Sequence, residues 1–200
     1  LEAAGGVYEE ATVQSEKLED TRQVAAVKSQ LATVHKDQKH YADALQGYQE
    51  ALQLFEQLNE LGGVATIWHQ MGMTYKRMGE YAQAEQAYRQ GLSIRVTHNL
   101  KQDEAASLGE LGNLYDEWNH PEQAVSFYRQ AADIYVALED LRYEGFTRSN
   151  IGRVLMKLDE YDSARPELLR AVDCIEKLGH AAEPWKALSI LCDLEAAGKA

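Results

Sequence analysis

The sequence repeats itself every 40 residues, and this period restricts the possible folds more than any other feature of the chain. The blocks that align without a gap begin at Ala25, Ala65, Ala105, Gly145 and Trp185. We number positions within a block as columns, so that column 1 of the first block is Ala25. A repeat of this length is one structural unit that cannot bury its apolar face alone, so successive units are expected to stack into a solenoid.

Several columns hold side chains of one size. Column 7 is large and apolar, in Leu31, Met71, Leu111, Ile151 and Leu191. Column 8 is small, in Ala32, Gly72, Gly112, Gly152 and Cys192. Column 20 is alanine, in Ala44, Ala84, Ala124 and Ala164, and column 24 is Tyr48, Tyr88, Tyr128 and Leu168. The small columns predict where helix backbones approach closely, and the large columns predict the side chains that fill the space between them.

Each block is predicted to form two amphipathic helices. In the first half, apolar or small residues at columns 4, 7, 8 and 11 follow the spacing of one helix face. Turn residues follow at Lys39-His40, Gly79-Glu80, Asn119-His120 and Asp159-Glu160. A second helix runs from there to about Leu58 in the first block, and a short link such as Leu61-Gly62-Gly63 leads onward. We therefore predict an all-α fold, an α-α superhelix of antiparallel helix pairs.

The columns resemble those of the tetratricopeptide repeat family, whose signature is a large residue, Leu-Gly, Tyr, Ala, an aromatic residue and Ala. The third block matches it in Leu108, Leu111, Gly112, Tyr115, Ala124, Tyr128 and Ala131. The 40-residue spacing is similar to that of the spindle-orientation adaptors and of many bacterial repeat arrays. The resemblance implies a scaffold that binds other proteins and has no enzymatic activity.

The period divides the chain into four full repeats with a partial unit at each end. We expect repeats at 25–64, 65–104, 105–144 and 145–184. Residues 1–24 are expected to form part of a preceding repeat or a capping helix. Residues 185–200 are expected to form a C-terminal capping helix or a truncated repeat.

Composition restricts the partners. The formal net charge is -12 at pH 7, which disfavours nucleic acid and favours neutral or basic protein partners. No apolar run is long enough to cross a membrane, so no membrane partner is expected. The two cysteines lack disulfide or metal-ligand spacing, so we expect a cytoplasmic protein. The six histidines do not share columns except in one turn, so no metal or other cofactor is expected. Cys174 and Cys192 fall in core columns and are expected to be buried, unreactive thiols.

The candidate binding surface is the face of the first helices that the core does not use, at columns 2, 5, 6, 9, 12 and 13. The resemblance implies that this face is a concave, peptide-binding groove, in which Asn113 and Asn150 match positions that hold the backbone of an extended peptide. The chaperone-type carboxylate clamp is not reproduced. The candidate residues are Ser29, Gln30, Thr33, Lys36, His69, Gln70, Met73, Lys76, Glu110, Asn113, Asp116, Ser149, Asn150, Arg153 and Met156.

Two functions remain open at this point. The first is a protein-interaction scaffold that holds a partner peptide or helix in the groove. The second is a sensor or assembly segment of a larger multidomain regulator. A third alternative for the polar residues is that they form only a solvated face.

Overall fold

The computed structural model of the protein describes residues 21–178 and, beyond them, residues 189, 191, 192, 195 and 196. Every regular element in this part of the chain is an α-helix, which confirms the predicted all-α fold. The helices are residues 21–37 (α1), Tyr41–Gln57 (α2), Leu61–Met78 (α3), Tyr81–Thr97 (α4), Lys101–Glu117 (α5), Pro121–Ala137 (α6), Leu141–Lys157 (α7) and Tyr161–Lys177 (α8). The end segments expected at residues 1–24 and 185–200 lie largely outside the described residues; residues 21–24 of the first segment are the beginning of α1.

One residue with a left-handed backbone closes each turn. Within repeats these residues are Lys39, Gly79, Asn119 and Asp159, with φ between 59° and 79°. They confirm the turns predicted from the sequence. Between repeats, Asn59, Asn99 and Glu139 adopt the same conformation. The predicted link at Leu61-Gly62-Gly63 is wrong, because Asn59 already turns the chain and α3 begins at Leu61.

The small columns form the core as predicted. Ala44, Ala84, Ala124 and Ala164 are all fully buried. In column 8, the glycines lie directly under the large residue of column 24. A Cβ atom on Gly72 would come within 2.7 Å of the Tyr88 ring, and one on Gly112 within 2.6 Å of the Tyr128 ring. Alanine in either position would force the buried ring to shift. The first repeat has alanine in column 8, Ala32, together with a buried Tyr48.

Leu31 departs from the prediction for column 7. It is 55% exposed, whereas Met71, Leu111 and Ile151 are buried. Met71 shares a core cluster with Leu52 from the second helix of the preceding repeat. The corresponding neighbours of Leu31 would precede residue 21, outside the described residues. The other large apolar residues of α1 that are exposed lie on the same side, at Val24, Val27 and Val34.

The chain divides into two compact units, residues 1–94 (unit 1) and residues 95–200 (unit 2). In unit 1, α2 packs against α3, and the core joins both to α1. In unit 2, α5 packs on α6, α6 on α7 and α7 on α8. Because consecutive helices are antiparallel neighbours, the first helices of the two repeats in unit 2, α5 and α7, run in the same direction.

The two cysteines differ in their environment. Cys174 is fully buried, as predicted, and lies beside the buried carboxylate of Glu144. That carboxylate accepts hydrogen bonds from Arg148 at 2.9 Å and from Arg170 at 2.8 Å. Burial, together with the negative charge of Glu144, raises the pKa of the Cys174 thiol to about 11. The prediction is wrong for Cys192, which is exposed, whereas in the repeats of Gly72 and Gly112 column 8 is covered by the tyrosine ring of column 24.

The thiols should therefore react at very different rates. In a Cys192→Ser variant, we expect Cys174 to be labelled slowly at pH 8, because the neutral, buried thiol reacts only after local opening. In a Cys174→Ala variant, Cys192 should react rapidly. Mass spectrometry of timed samples, with unfolded protein as the reference for full reactivity, measures both rates. Rapid labelling of Cys174 in folded protein would contradict its burial.

Candidate functional site

The candidate surface in unit 2 lies on α5 and α7, which ion pairs hold side by side. The Asp116 carboxylate on α5 binds Arg153 at 2.9 Å and Lys157 at 2.6 Å, both on α7. Burial by itself would raise the pKa of Asp116, but the hydrogen bonds and positive charges of Lys157 and Arg153 outweigh it and lower that pKa. Asp116 therefore stays ionised and joins the two helices.

This contact joins the two first helices near their C-terminal ends. Arg153 and Lys157 follow Asp116 by 37 and 41 residues, so α5 and α7 lie side by side at close to the 40-residue offset of the repeat. The preceding turns carry Gly109 and Asn113 on α5 and Phe146 and Asn150 on α7. We name these four residues, together with Arg153, the α5–α7 surface.

The Asn113 amide is held in one orientation. Its Oδ1 accepts a hydrogen bond of 2.6 Å from the hydroxyl of Tyr128. Tyr128 is buried, and burial raises the pKa of its phenol, so the hydroxyl remains a donor. The Asn113 amide is thereby oriented with its NH2 group directed away from Tyr128. An amide fixed in this way can donate to a backbone carbonyl with little loss of entropy.

Phe146 and Gly109 belong to the candidate columns 2 and 5, but neither was among the candidate residues. Phe146 is 59% exposed, an unusual position for a phenylalanine side chain. A Cβ atom on Gly109 would have no atom within 4 Å, so the space over this part of α5 is open. The sequence does set Phe146 apart within column 2, because the other residues of that column, Ala26, Thr66 and Ala106, are small or polar. The first helices of unit 2 thus carry an exposed aromatic ring on α7 and an open space on α5.

Other predicted residues of unit 2 have local roles. The Ser149 hydroxyl donates to the Gly145 carbonyl of its own helix at 3.0 Å. Met156 packs against the core, and Glu110 is half-buried on the same side of α5 as Asn113. These three residues frame the α5–α7 surface.

The corresponding residues of unit 1 bond to one another. Thr33 and the Tyr48 hydroxyl form a hydrogen bond of 2.9 Å, the counterpart of the bond between Asn113 and Tyr128. Lys36 was expected to face the groove, but it is only 3% exposed, and its Nζ donates to Gln70 Oε1 at 2.6 Å. Burial, together with the charge of Arg77, lowers the pKa of Lys36. Lys36 and Gln70 thus connect α1 to α3.

The remaining candidates of unit 1 lie around these contacts. The His69 ring packs at a tilt on Tyr88, with centroids 5.6 Å apart. Met73 and Lys76 are half-buried. Ser29 and Gln30 line an open cleft of about 300 Å³ between α1 and α3, whose apolar lining includes Phe55 and Ile67.

None of the helices in the described part of the chain has both the length and the apolar composition needed to cross a membrane.

Helix pairs that recur in a constant register, with exposed faces on the first helices, define an all-α repeat scaffold. The tetratricopeptide repeat model matches residues 23–95 and 64–135. The chain belongs to the tetratricopeptide repeat family. Repeats of this family generally serve as protein-interaction scaffolds without catalysis of their own.

Solved structures support the same fold. BtubC (BKLC) from P. vanneervenii superposes with a TM-score of 0.72 at 19% identity, over 92% of this chain and 85% of that chain. The apo form of RapI superposes with a TM-score of 0.75 at 17% identity, over 92% of this chain and 51% of that one. The STAND ATPase PH0952 from Pyrococcus horikoshii, which has a tetratricopeptide repeat sensor, superposes with a TM-score of 0.75 at 15% identity, over 95% of this chain and 30% of that one. Comparison with curated proteins gives no match.

Proposed function

We propose that the chain is a protein-interaction scaffold and that the α5–α7 surface holds an extended or helical segment of a partner protein. The observation that carries this proposal is the exposed Phe146 ring and the open space over Gly109, on two first helices that also carry the oriented amide of Asn113. An apolar side chain of the partner would occupy the space over Gly109, and the Phe146 ring would supply a second apolar contact. The amides of Asn113 and Asn150, about one turn further along each helix, would hold the partner's backbone.

The arrangement fits the usual composition of an interface. Binding energy concentrates in a few aromatic or well-oriented polar residues, and surrounding contacts serve mainly to exclude water. Phe146 supplies the aromatic contact, and the bond from Tyr128 fixes the orientation of Asn113 before binding. Arg153 lies at the far edge of the surface and is already paired with Asp116. The net charge of -12 favours a neutral or basic partner segment.

A sensor segment within a larger regulator is the second candidate. It is supported by the similarity to PH0952, whose own repeat region is described as a sensor and of which this chain spans 30%. In that case the same surface would bind the signal protein, and an attached domain would respond to it.

Site-specific photo-cross-linking tests the proposal. A photoreactive phenylalanine analogue placed at Phe146 should cross-link a partner in a native extract. The same analogue at Leu169 of α8 should not cross-link that partner, although Leu169 is 52% exposed and belongs to the same unit. A partner captured from Leu169 and not from Phe146 would place the interface on the second helices and contradict the proposal.

A further inference from the structure

Three side chains with metal-ligand chemistry meet at the turn between α1 and α2. One ligand atom from each of His35, His40 and Asp43 lies within 4.8 Å of the other two. The two imidazole centroids are 6.2 Å apart. The backbone N–H of His40 donates to the His35 carbonyl at 2.8 Å, and this bond brings the two histidines to the same end of the helix pair. Sequence reasoning expected no metal site because it compared columns along the array and did not consider convergence at a turn.

The other repeats do not combine these three residue types. At column 11, where the first repeat has His35, they have Tyr75, Tyr115 and Leu155. At column 16, the position of His40, they have Glu80, His120 and Glu160. At column 19, the position of Asp43, they have Gln83, Gln123 and Ser163. The third repeat therefore retains the turn histidine, but there it lies against the rings of Tyr115 and Trp118.

The ligand groups are available for binding. The Nδ1 atom of His35 is buried and has no hydrogen-bond partner among the described residues. His35 and Asp43 also line an open cleft of about 250 Å³. Lys28 lines the same cleft, but its ammonium group is paired with Glu50, which offsets its charge.

We propose that His35, His40 and Asp43 bind one divalent transition-metal ion of the zinc type. Imidazole ligands favour Zn²⁺, Cu²⁺ or Ni²⁺ over Mg²⁺ and Ca²⁺, and three protein ligands leave the fourth position of Zn²⁺ to water. Ligand atoms around a tetrahedral zinc ion lie about 3.3 Å apart, as follows from bond lengths of about 2 Å. The ligand atoms of the three residues now lie up to 4.8 Å apart, and rotation of the exposed side chains of His40 and Asp43 can shorten these distances.

A bound ion would join the end of α1 to the first turn of α2. Because it would bind the folded turn more tightly than the unfolded chain, it would raise the melting temperature, and the rise would increase with the logarithm of the free Zn²⁺ concentration once that exceeds the dissociation constant. This site lies in unit 1 and does not involve the α5–α7 surface, so either proposal can fail without the other.

Calorimetric titration of the full chain, without a histidine tag, with Zn²⁺ tests the site. We expect one ion per chain, and the visible absorption of the Co²⁺ form should show four-coordinate geometry. His35→Tyr introduces the residue that two other repeats have at column 11, and Asp43→Gln introduces the residue that two have at column 19. Each should weaken Zn²⁺ binding by about tenfold or more, since loss of even an outer-shell partner commonly costs that much.

His120→Gln is the matched control because it removes the equivalent histidine of the third repeat. It should leave the Zn²⁺ affinity unchanged. Circular dichroism melts in the absence of metal check that the variants fold. If His35→Tyr unfolds the first repeat, Asp43→Gln still tests the site, because Asp43 is exposed and its substitution should not affect folding. Absence of Zn²⁺ binding, unchanged affinity in Asp43→Gln, or a loss in His120→Gln would overturn the proposal.

Discussion

Alanine at Gly109 and alanine at Gly112 are expected to have opposite effects on stability, although the two glycines are three residues apart in the same helix. Both substitutions remove the unfavourable backbone entropy of glycine in a helix, worth about 0.5–1 kcal/mol. At Gly109 the added methyl group enters open space, so the free energy of unfolding should rise by about that amount. At Gly112 it would lie 2.6 Å from the buried Tyr128 ring, and overpacking should lower the free energy of unfolding by about 1–3 kcal/mol.

Urea unfolding followed by circular dichroism measures both free energies, with the m-values compared to exclude a change in the unfolded state. The gain in helix propensity is the same at both positions. The difference in unfolding free energy between the two variants therefore measures the contact of the column-8 residue with the column-24 ring. Equal stabilisation by both variants would mean that Gly112 does not lie against Tyr128.

The second large effect is expected on binding. Phe146→Ala combined with Asn113→Thr should weaken the affinity for a partner segment by about 2–4 kcal/mol, or roughly 30- to 1,000-fold. Phe146→Ala removes the exposed ring. Asn113→Thr removes the amide donor but supplies a hydroxyl for Tyr128, as Thr33 does for Tyr48 in the first repeat. The melting temperature should therefore stay close to that of the parent.

Two variants serve as controls for this result. Leu169→Ala removes an exposed apolar side chain of similar accessibility from α8 and should leave affinity unchanged. Asn113→Ala should lose both binding and stability, because the buried Tyr128 hydroxyl is left without its acceptor, at a cost of about 1–3 kcal/mol. Isothermal titration with a synthetic segment of the cross-linked partner measures the affinities. Unchanged affinity in the Phe146 and Asn113 double variant would exclude the α5–α7 surface.

The repeat period was sufficient to predict the fold. The constraint at column 20 is steric and recurs in every repeat, so the burial of Ala44 or Ala124 followed from the alignment alone. The turns within repeats were predicted because they recur at the same two columns of each block. The turns between repeats were less clear, since Asn59 and Glu139 differ in residue type and yet adopt the same left-handed conformation.

The candidate site was predicted less completely because surface chemistry is not periodic. Column analysis assigned Lys36 to the exposed face, but its long side chain reaches Gln70 and becomes buried. Phe146 stood out from its column, yet its importance depends on α7 lying beside α5, which the ion pairs of Asp116 with Arg153 and Lys157 show and a sequence does not contain. The meeting of His35 with Asp43 likewise depends on the path of the chain through a turn.

The central claim is that a partner segment lies over Gly109 on the first helices of unit 2, and a blocking substitution tests it most directly. Gly109→Leu should fill the open space without disturbing the core, whereas Ser126→Leu adds the same side chain on the exposed side of α6. The partner segment recovered from the Phe146 cross-link is titrated against the parent and both variants. We predict that Gly109→Leu weakens binding by about tenfold or more, equivalent to about 1.4 kcal/mol, and that Ser126→Leu binds like the parent. Equal affinities of all three proteins, or a loss confined to Ser126→Leu, would contradict the claim.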